Sequence, residues 1–89
     1  MRIKKGFIMR EVCGQKVIVA EGEGVVDFGK LLTVNSTAEF LFQEAENQGD
    51  FTVESLTDSL LREYDVDRET ALKDVASIVE KWREKKVIE

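Results

Sequence analysis

The sequence contains no histidine, no proline and a single cysteine, Cys13. The first absence removes the commonest general base and the commonest zinc ligand together. With one thiol no internal disulfide can form, which fits a reducing compartment. Cys13 has no histidine to activate it and falls in an expected turn, so it reads as a structural or incidental thiol. Ser36, Ser55, Ser59 and Ser77 lack a base in the same way. Without proline or any repeated or low-complexity stretch, nothing marks a linker, and 89 residues read as a single domain, 1–89. Apolar runs are short: none approaches the ~18 residues that span a bilayer. The basic start, Met1-Arg2-Ile3-Lys4-Lys5, leads into no signal-type apolar core. Together these features read as a cytoplasmic protein.

Positive charge is also in short supply. Lys and Arg number 13 against 18 Asp and Glu, a net charge of −5. Affinity for nucleic acid rests largely on neutralising phosphates with Lys and Arg, so this balance argues against such a partner and favours a protein or peptide. The chain is 43% hydrophobic and 35% charged, a globular rather than a disordered composition. A domain this small buries only about 60–65% of its unfolded surface, so its core is thin and pairing into a homodimer is one way to extend it.

Motifs for chemistry are equally scarce. Gly22-Glu23-Gly24 is too short for a dinucleotide fingerprint, and its acidic flanks repel phosphate. Asp65-Val66-Asp67-Arg68-Glu69 opens like a calcium loop, but Thr70 stands where glycine is needed, so a helix cap with first-turn acids fits better. Glu44, Glu46, Asp50 and Glu54 form a scattered, solvated acidic patch. The residues therefore point to no enzyme, no cofactor and no metal.

The chain changes character between Leu31 and Phe42, where a strand runs into a capped helix. Before it, Phe7 to Val12 alternates, with Phe7 and Met9 on one face and Ile8 and Val12 on the other. Cys13-Gly14-Gln15 supplies a turn and Lys16 to Ala20 a second strand, together a β-hairpin. Glu21 to Gly24 reads as a loop, Val25 to Phe28 is ambiguous, and Gly29 marks a bulge or turn before a third strand, Leu31 to Val34. Asn35 or Ser36 caps the first helix, with Ser36 and Glu39 spaced as a capping box. Ala38, Leu41 and Ala45 form its stripe, flanked by Phe40 and Phe42, and Gly49 suits its C-terminal end. Thr52 caps a second helix, whose apolar face is Val53, Leu56, Leu60, Leu61 and Tyr64. Asp67 caps a third, running from Arg68 to about Lys85, and Val87-Ile88 tucks back onto the core. The third helix is broadly apolar. Ala71, Val75, Ile78, Val79 and Trp82 share a face, and Leu72 and Ala76 widen it to roughly 160°, against ~100° for an ordinary surface helix. Either one edge packs inward and the other meets a partner, or the helix lies deep.

Several stretches resemble the PqqD-like family, coenzyme PQQ synthesis protein D and its relatives. They are Val26-Asp27-Phe28 before the third strand, Asn35-Ser36-Thr37-Ala38 with Leu41-Phe42, Gly49 and Thr52 with Leu56, then Asp74-Val75, Ile78-Val79, Trp82 and the closing Val87-Ile88. The likeness spans about Phe7 to Ile88 and rests on order and spacing more than on any one motif. Phe42 stands where Trp is usual, Trp82 where Leu is, and Lys86 where a glycine often ends the last helix. The resemblance implies a winged-helix-like α+β fold, a small antiparallel sheet of about three strands followed by three helices. It implies a peptide chaperone, a recognition element for ribosomally made, modified peptides (RiPP), in PQQ biosynthesis or a related pathway. The leader of the precursor peptide adds as a strand beside the third strand, in the groove facing the third helix, and is presented to a modifying enzyme, commonly a radical SAM protein. Carried onto this sequence, the groove involves Gly29, Lys30, Leu31, Leu32, Thr33 and Val34 on the strand. On the helix it involves Leu72, Lys73, Asp74, Val75, Ala76, Val79 and Arg83. An exposed strand edge suits that role, because its backbone supplies hydrogen bonds and alternate side-chain pockets supply specificity.

Two other readings start from the same residues. A DNA-binding winged-helix regulator would need Lys and Arg on one face of the third helix, but Glu69, Asp74, Glu80 and Glu84 intersperse Arg68, Lys73, Lys81, Arg83, Lys85 and Lys86. An oligomerising structural module would pair the strand edge with a second copy.

Overall fold

Strand-type sequence before Asn35 and helix-type sequence after it build two layers. The computed structural model describes the backbone of residues 1–22 and 25–89, and their side chains except those of residues 22 and 25–30. The elements follow as β1 (Phe7–Val12), β2 (Gln15–Gly22), β3 (Val25–Thr33), α1 (Ser36–Gln48), α2 (Val53–Glu63) and α3 (Arg68–Glu84). The sheet is antiparallel in the order β1-β2-β3.

The hairpin turn is tighter than the sequence suggests. Val12 pairs directly with Gln15, so Gln15 opens β2 and only Cys13 and Gly14 turn. Both take positive φ, 51° and 77°, as a type I′ turn requires. β2 also runs past Ala20 to Gly22 and β3 begins at Val25, and Glu23 and Gly24 of the expected loop lie outside the described residues. The pairings Phe7↔Ala20 and Met9↔Ile18 put Phe7 and Met9 on the core face, as their alternation predicts.

β3 corrects the reading most. Instead of an ambiguous stretch and a short strand, Val25–Thr33 is one strand with an irregular register. Ile18 pairs with Leu32 and Ala20 with Asp27, so five steps along β3 oppose two along β2. Gly29 falls inside this bulged part, one of the two roles expected of it. An odd offset reverses which residues face inward, so no single period-two pattern runs through the strand.

The helices start and stop where their caps dictate. Asn35, not a Ser36–Glu39 box, caps α1: its Oδ1 accepts from the Ala38 N–H at 2.8 Å. Ser36 is instead the first helical residue, and Glu39 lies 4.0 Å from the Lys16 ammonium. Gly49 ends α1 at φ 76°. The reciprocal capping box sits on α2, where Thr52 Oγ1 accepts from the Ser55 N–H at 3.0 Å and Ser55 Oγ accepts from the Thr52 N–H at 2.9 Å. Gln48 then ties α1 to α2, its Nε2 donating to the buried Ser59 Oγ at 3.1 Å. Asp67 caps α3 through the Thr70 N–H at 3.0 Å.

The core lies between the sheet and the helices. Ile18, Leu41, Phe42, Phe51, Leu56, Val75 and Trp82 are buried there. Trp82 packs perpendicular to Phe42 and Phe51 at centroid distances of 5.9 and 6.1 Å. The closing apolar pair tucks in as expected. Val87 N–H bonds the Trp82 carbonyl at 2.8 Å and Lys86 N–H the Arg83 carbonyl at 3.0 Å, a Schellman end to α3. The tail then pairs with the N-terminal segment through an Ile3–Ile88 bridge.

Candidate functional site

Because β2 is central, β3 is an edge strand, and among the described residues it pairs with β2 alone. The Val34 N–H bonds the Lys16 carbonyl at 3.1 Å. In an antiparallel ladder such bonds alternate, so Leu32 and Val34 turn their backbone groups toward β2. Thr33, opposite Val17 as a non-bonded pair, turns its N–H and C=O outward. That orientation leaves a donor and an acceptor for another strand.

A groove runs beside this edge, between the end of β3, the start of α1 and one flank of α3. Its apolar part is a cleft of about 50 Å³ lined by Leu32, Val34, Ala38, Ile78 and Trp82, with Thr33, Asn35 and Lys81 at the rim. It continues into a polar cleft of about 220 Å³ lined by Asn35, Thr37, Asp74, Ser77, Ile78 and Lys81. A larger hollow of about 260 Å³ lies elsewhere, between the N-terminal segment and the end of α1. It borders Glu46, whose carboxyl burial pushes above the usual carboxylate range, and it meets the sheet only at Phe7, the first residue of β1.

The structure sorts the residues expected in the groove. On the strand, Leu32, Thr33 and Val34 line it. Leu31 is half-buried on the same strand, and the side chains of Gly29 and Lys30 lie outside the described residues. On α3 the expected set divides four ways. Asp74 lines the polar cleft. Val75 and Val79 are 0% and 2% exposed and belong to the core. Leu72, Ala76 and Arg83 fall on the opposite flank, by the ~100° turn per helical residue. Leu72 is 39% exposed there, and Arg83 reaches Glu80 at 3.2 Å and the sulfur of Met1 at 3.5 Å. Lys73 is exposed and lies 3.5 Å from Glu69.

Sequence reasoning missed Ser77, Ile78 and Lys81 as groove residues. The signal was present in the spacing: Asp74, Ser77, Ile78 and Lys81 recur at i, i+3, i+4 and i+7. What the stripe could not say is which of its two flanks β3 would face.

The family model for coenzyme PQQ synthesis protein D (PqqD) matches residues 15–88. No curated protein matches the chain by sequence. Solved structures with the same fold include TbiB1 in complex with the TbiA(beta) leader peptide. It superposes with a TM-score of 0.74 at 18% identity, over 100% of this chain and 95% of that one. Another is lasso peptide synthetase B1 complexed with the leader peptide, with a TM-score of 0.66 at 20% identity, over 93% of this chain and 89% of that one. At these identities the likeness carries the fold: three antiparallel strands followed by three helices. The family match, by contrast, takes in all of β2, β3 and the three helices, and the chain belongs to the PqqD family.

Proposed function

We propose that this chain is one cytoplasmic, non-catalytic domain that binds the leader segment of a ribosomally made precursor peptide and presents it to a modifying enzyme, commonly a radical SAM protein. The leader adds as a strand on the outer edge of β3 and lies in the groove against α3. The observation that carries this reading is the open β3 edge, with Thr33 facing outward, beside a groove apolar at one end and polar at the other. Strand addition uses such an edge for backbone hydrogen bonds and such a groove for side-chain selection. The two solved neighbours of the same fold are themselves complexes with leader peptides.

The peptide-contacting residues on this reading are Leu31, Leu32, Thr33 and Val34, with Gly29 and Lys30 continuing the edge, and Asp74, Ser77, Ile78 and Lys81 across the groove. Val75 and Val79 support the groove from within the core.

The test is an amide NMR titration of labelled protein with the precursor peptides encoded beside its gene. Shifts concentrated on Leu31–Val34 and on the Asp74–Lys81 flank of α3 are expected. Binding that moves only the opposite flank, around Leu72 and Ala76, would overturn the assignment.

The DNA-binding alternative gains nothing from the geometry. Arg68, Lys73 and Arg83 lie 3.0, 3.5 and 3.2 Å from Asp58, Glu69 and Glu80, so these cations already face carboxylates of the same molecule.

A further inference from the structure

We infer that the β3–α3 groove selects a segment carrying an alanine- or valine-sized aliphatic residue and, two positions away on the same face, a carboxylate that pairs with Lys81. This rests on the strand-addition reading and specifies what the added strand must contain.

Size sets the first requirement. The apolar cleft between Leu32, Val34, Ala38, Ile78 and Trp82 holds about 50 Å³. An apolar cavity that takes a benzene ring is about 150 Å³. A small aliphatic side chain fills the cleft, which is too small to enclose a phenylalanine or tyrosine ring. Trp82 cannot retreat to make room, because its ring is 1% exposed and already packed against Phe42 and Phe51.

Charge sets the second. Lys81 borders both the apolar and the polar cleft. Among the described residues no carboxylate lies within ion-pair distance of it, whereas Arg68, Lys73 and Arg83 on the same helix all have acidic partners. Donors line the same cleft: the Ser77 and Thr37 hydroxyls, and the amide nitrogen of Asn35, whose oxygen is committed to the Ala38 N–H. Among the described residues Asp74 is the one carboxylate on the groove, about two helical turns, or roughly 10 Å, from Lys81. An incoming carboxylate is therefore drawn to the Lys81 end and kept from the Asp74 end. The protein's net charge of −5 repels an acidic peptide overall, which makes an unneutralised ammonium in the groove the feature that admits one.

Spacing joins the two. Ile78, in the apolar cleft, and Lys81 are about one turn apart, ~5 Å along α3. Residues i and i+2 of a strand point the same way about 6.6 Å apart. Two positions on the peptide therefore span the cleft and the ammonium.

The test uses a displayed library of random linear peptides of about a dozen residues, selected separately on the wild-type domain and on Lys81→Glu. Enriched peptides are then measured by fluorescence anisotropy against wild type and Lys81→Met, and mapped by amide shifts. The wild type should enrich small aliphatics with Asp or Glu two positions away. Lys81→Met should weaken those peptides about two- to fivefold, the effect of a solvent-exposed ion pair. Lys81→Glu should enrich Lys or Arg in place of the acid. Peptides that shift Leu32–Val34 yet show no acid preference, an aromatic anchor, or no response to Lys81→Met would overturn this inference and leave strand addition standing. If no enriched peptide moves those amides, strand addition itself fails, and the inference with it.

Discussion

Lys86 ends α3 with a left-handed backbone, φ 58°, in the position a Schellman motif usually gives to glycine. A side chain there costs roughly 1–2 kcal/mol, partly offset by the freedom a glycine would lose on folding. Lys86→Gly should therefore raise stability by about 0.5–1 kcal/mol, read as a higher guanidinium midpoint at unchanged slope. Asp67 offers a pH-dependent counterpart. Hydrogen bonds from the backbone N–H and then the hydroxyl of Thr70 hold its carboxyl below the usual carboxylate range. A depressed folded value means its contribution is present above the unfolded value of about 3.9 and is lost as pH falls through the folded one. Asp67→Asn keeps a capping side chain without the charge, so its Tm should trail wild type at about pH 6 and converge with it near about pH 2. An equal gap at both pH values would show that ionisation of Asp67 is not involved. At this scale the sequence was largely legible: Thr52, Asp67 and Gly49 sit where their chemistry places them. Ser36 did not, because Asn35 one residue earlier makes the same bond to the first turn, and Glu39 turns to Lys16 instead.

Among the elements, β3 and α3 frame the proposed groove, and both were only half legible. β3 hid behind its bulge, since the offset near Gly29 puts Val25–Phe28 and Leu31–Thr33 out of phase. The breadth of the α3 stripe was evident, but choosing its working flank needs the position of β3, which no spacing within the helix encodes. The two flanks make opposite predictions. Ile78→Gln should weaken a groove-bound peptide by about tenfold, whereas Ala76→Gln, across the helix, should leave the affinity unchanged. Equal effects would argue that the peptide covers the whole helix. On the strand, Thr33→Pro removes a backbone N–H that faces away from β2, a position where an edge strand tolerates proline. Circular dichroism should stay native while peptide binding is lost; retained binding would mean that Thr33 donates nothing to the added strand.

At the scale of the whole molecule, a thin core is centred on one indole. A chain of 89 residues is stable by about 5–13 kcal/mol, and deleting a buried aromatic costs about 3–5 kcal/mol. Trp82→Ala should therefore lose much of the cooperative melt, while Trp82→Phe keeps it. The order of strands and helices was legible from the change of hydrophobic period at Asn35, and the burial of Val87 and Ile88 from their apolar character. The pairing of residues 2–4 with the tail was not, because a bridge between chain ends has no local pattern. On the proposed function, what all these parts serve is the open edge of β3. The most direct measurement is amide hydrogen exchange at Thr33, free and with a bound leader peptide, using Leu32 and Val34 as internal references. Leu32 and Val34 should be protected in both states, and Thr33 should exchange freely alone and become protected in the complex. A Thr33 amide that stays fast while the peptide is saturating, or is already slow in the free monomer, would contradict strand addition at this edge.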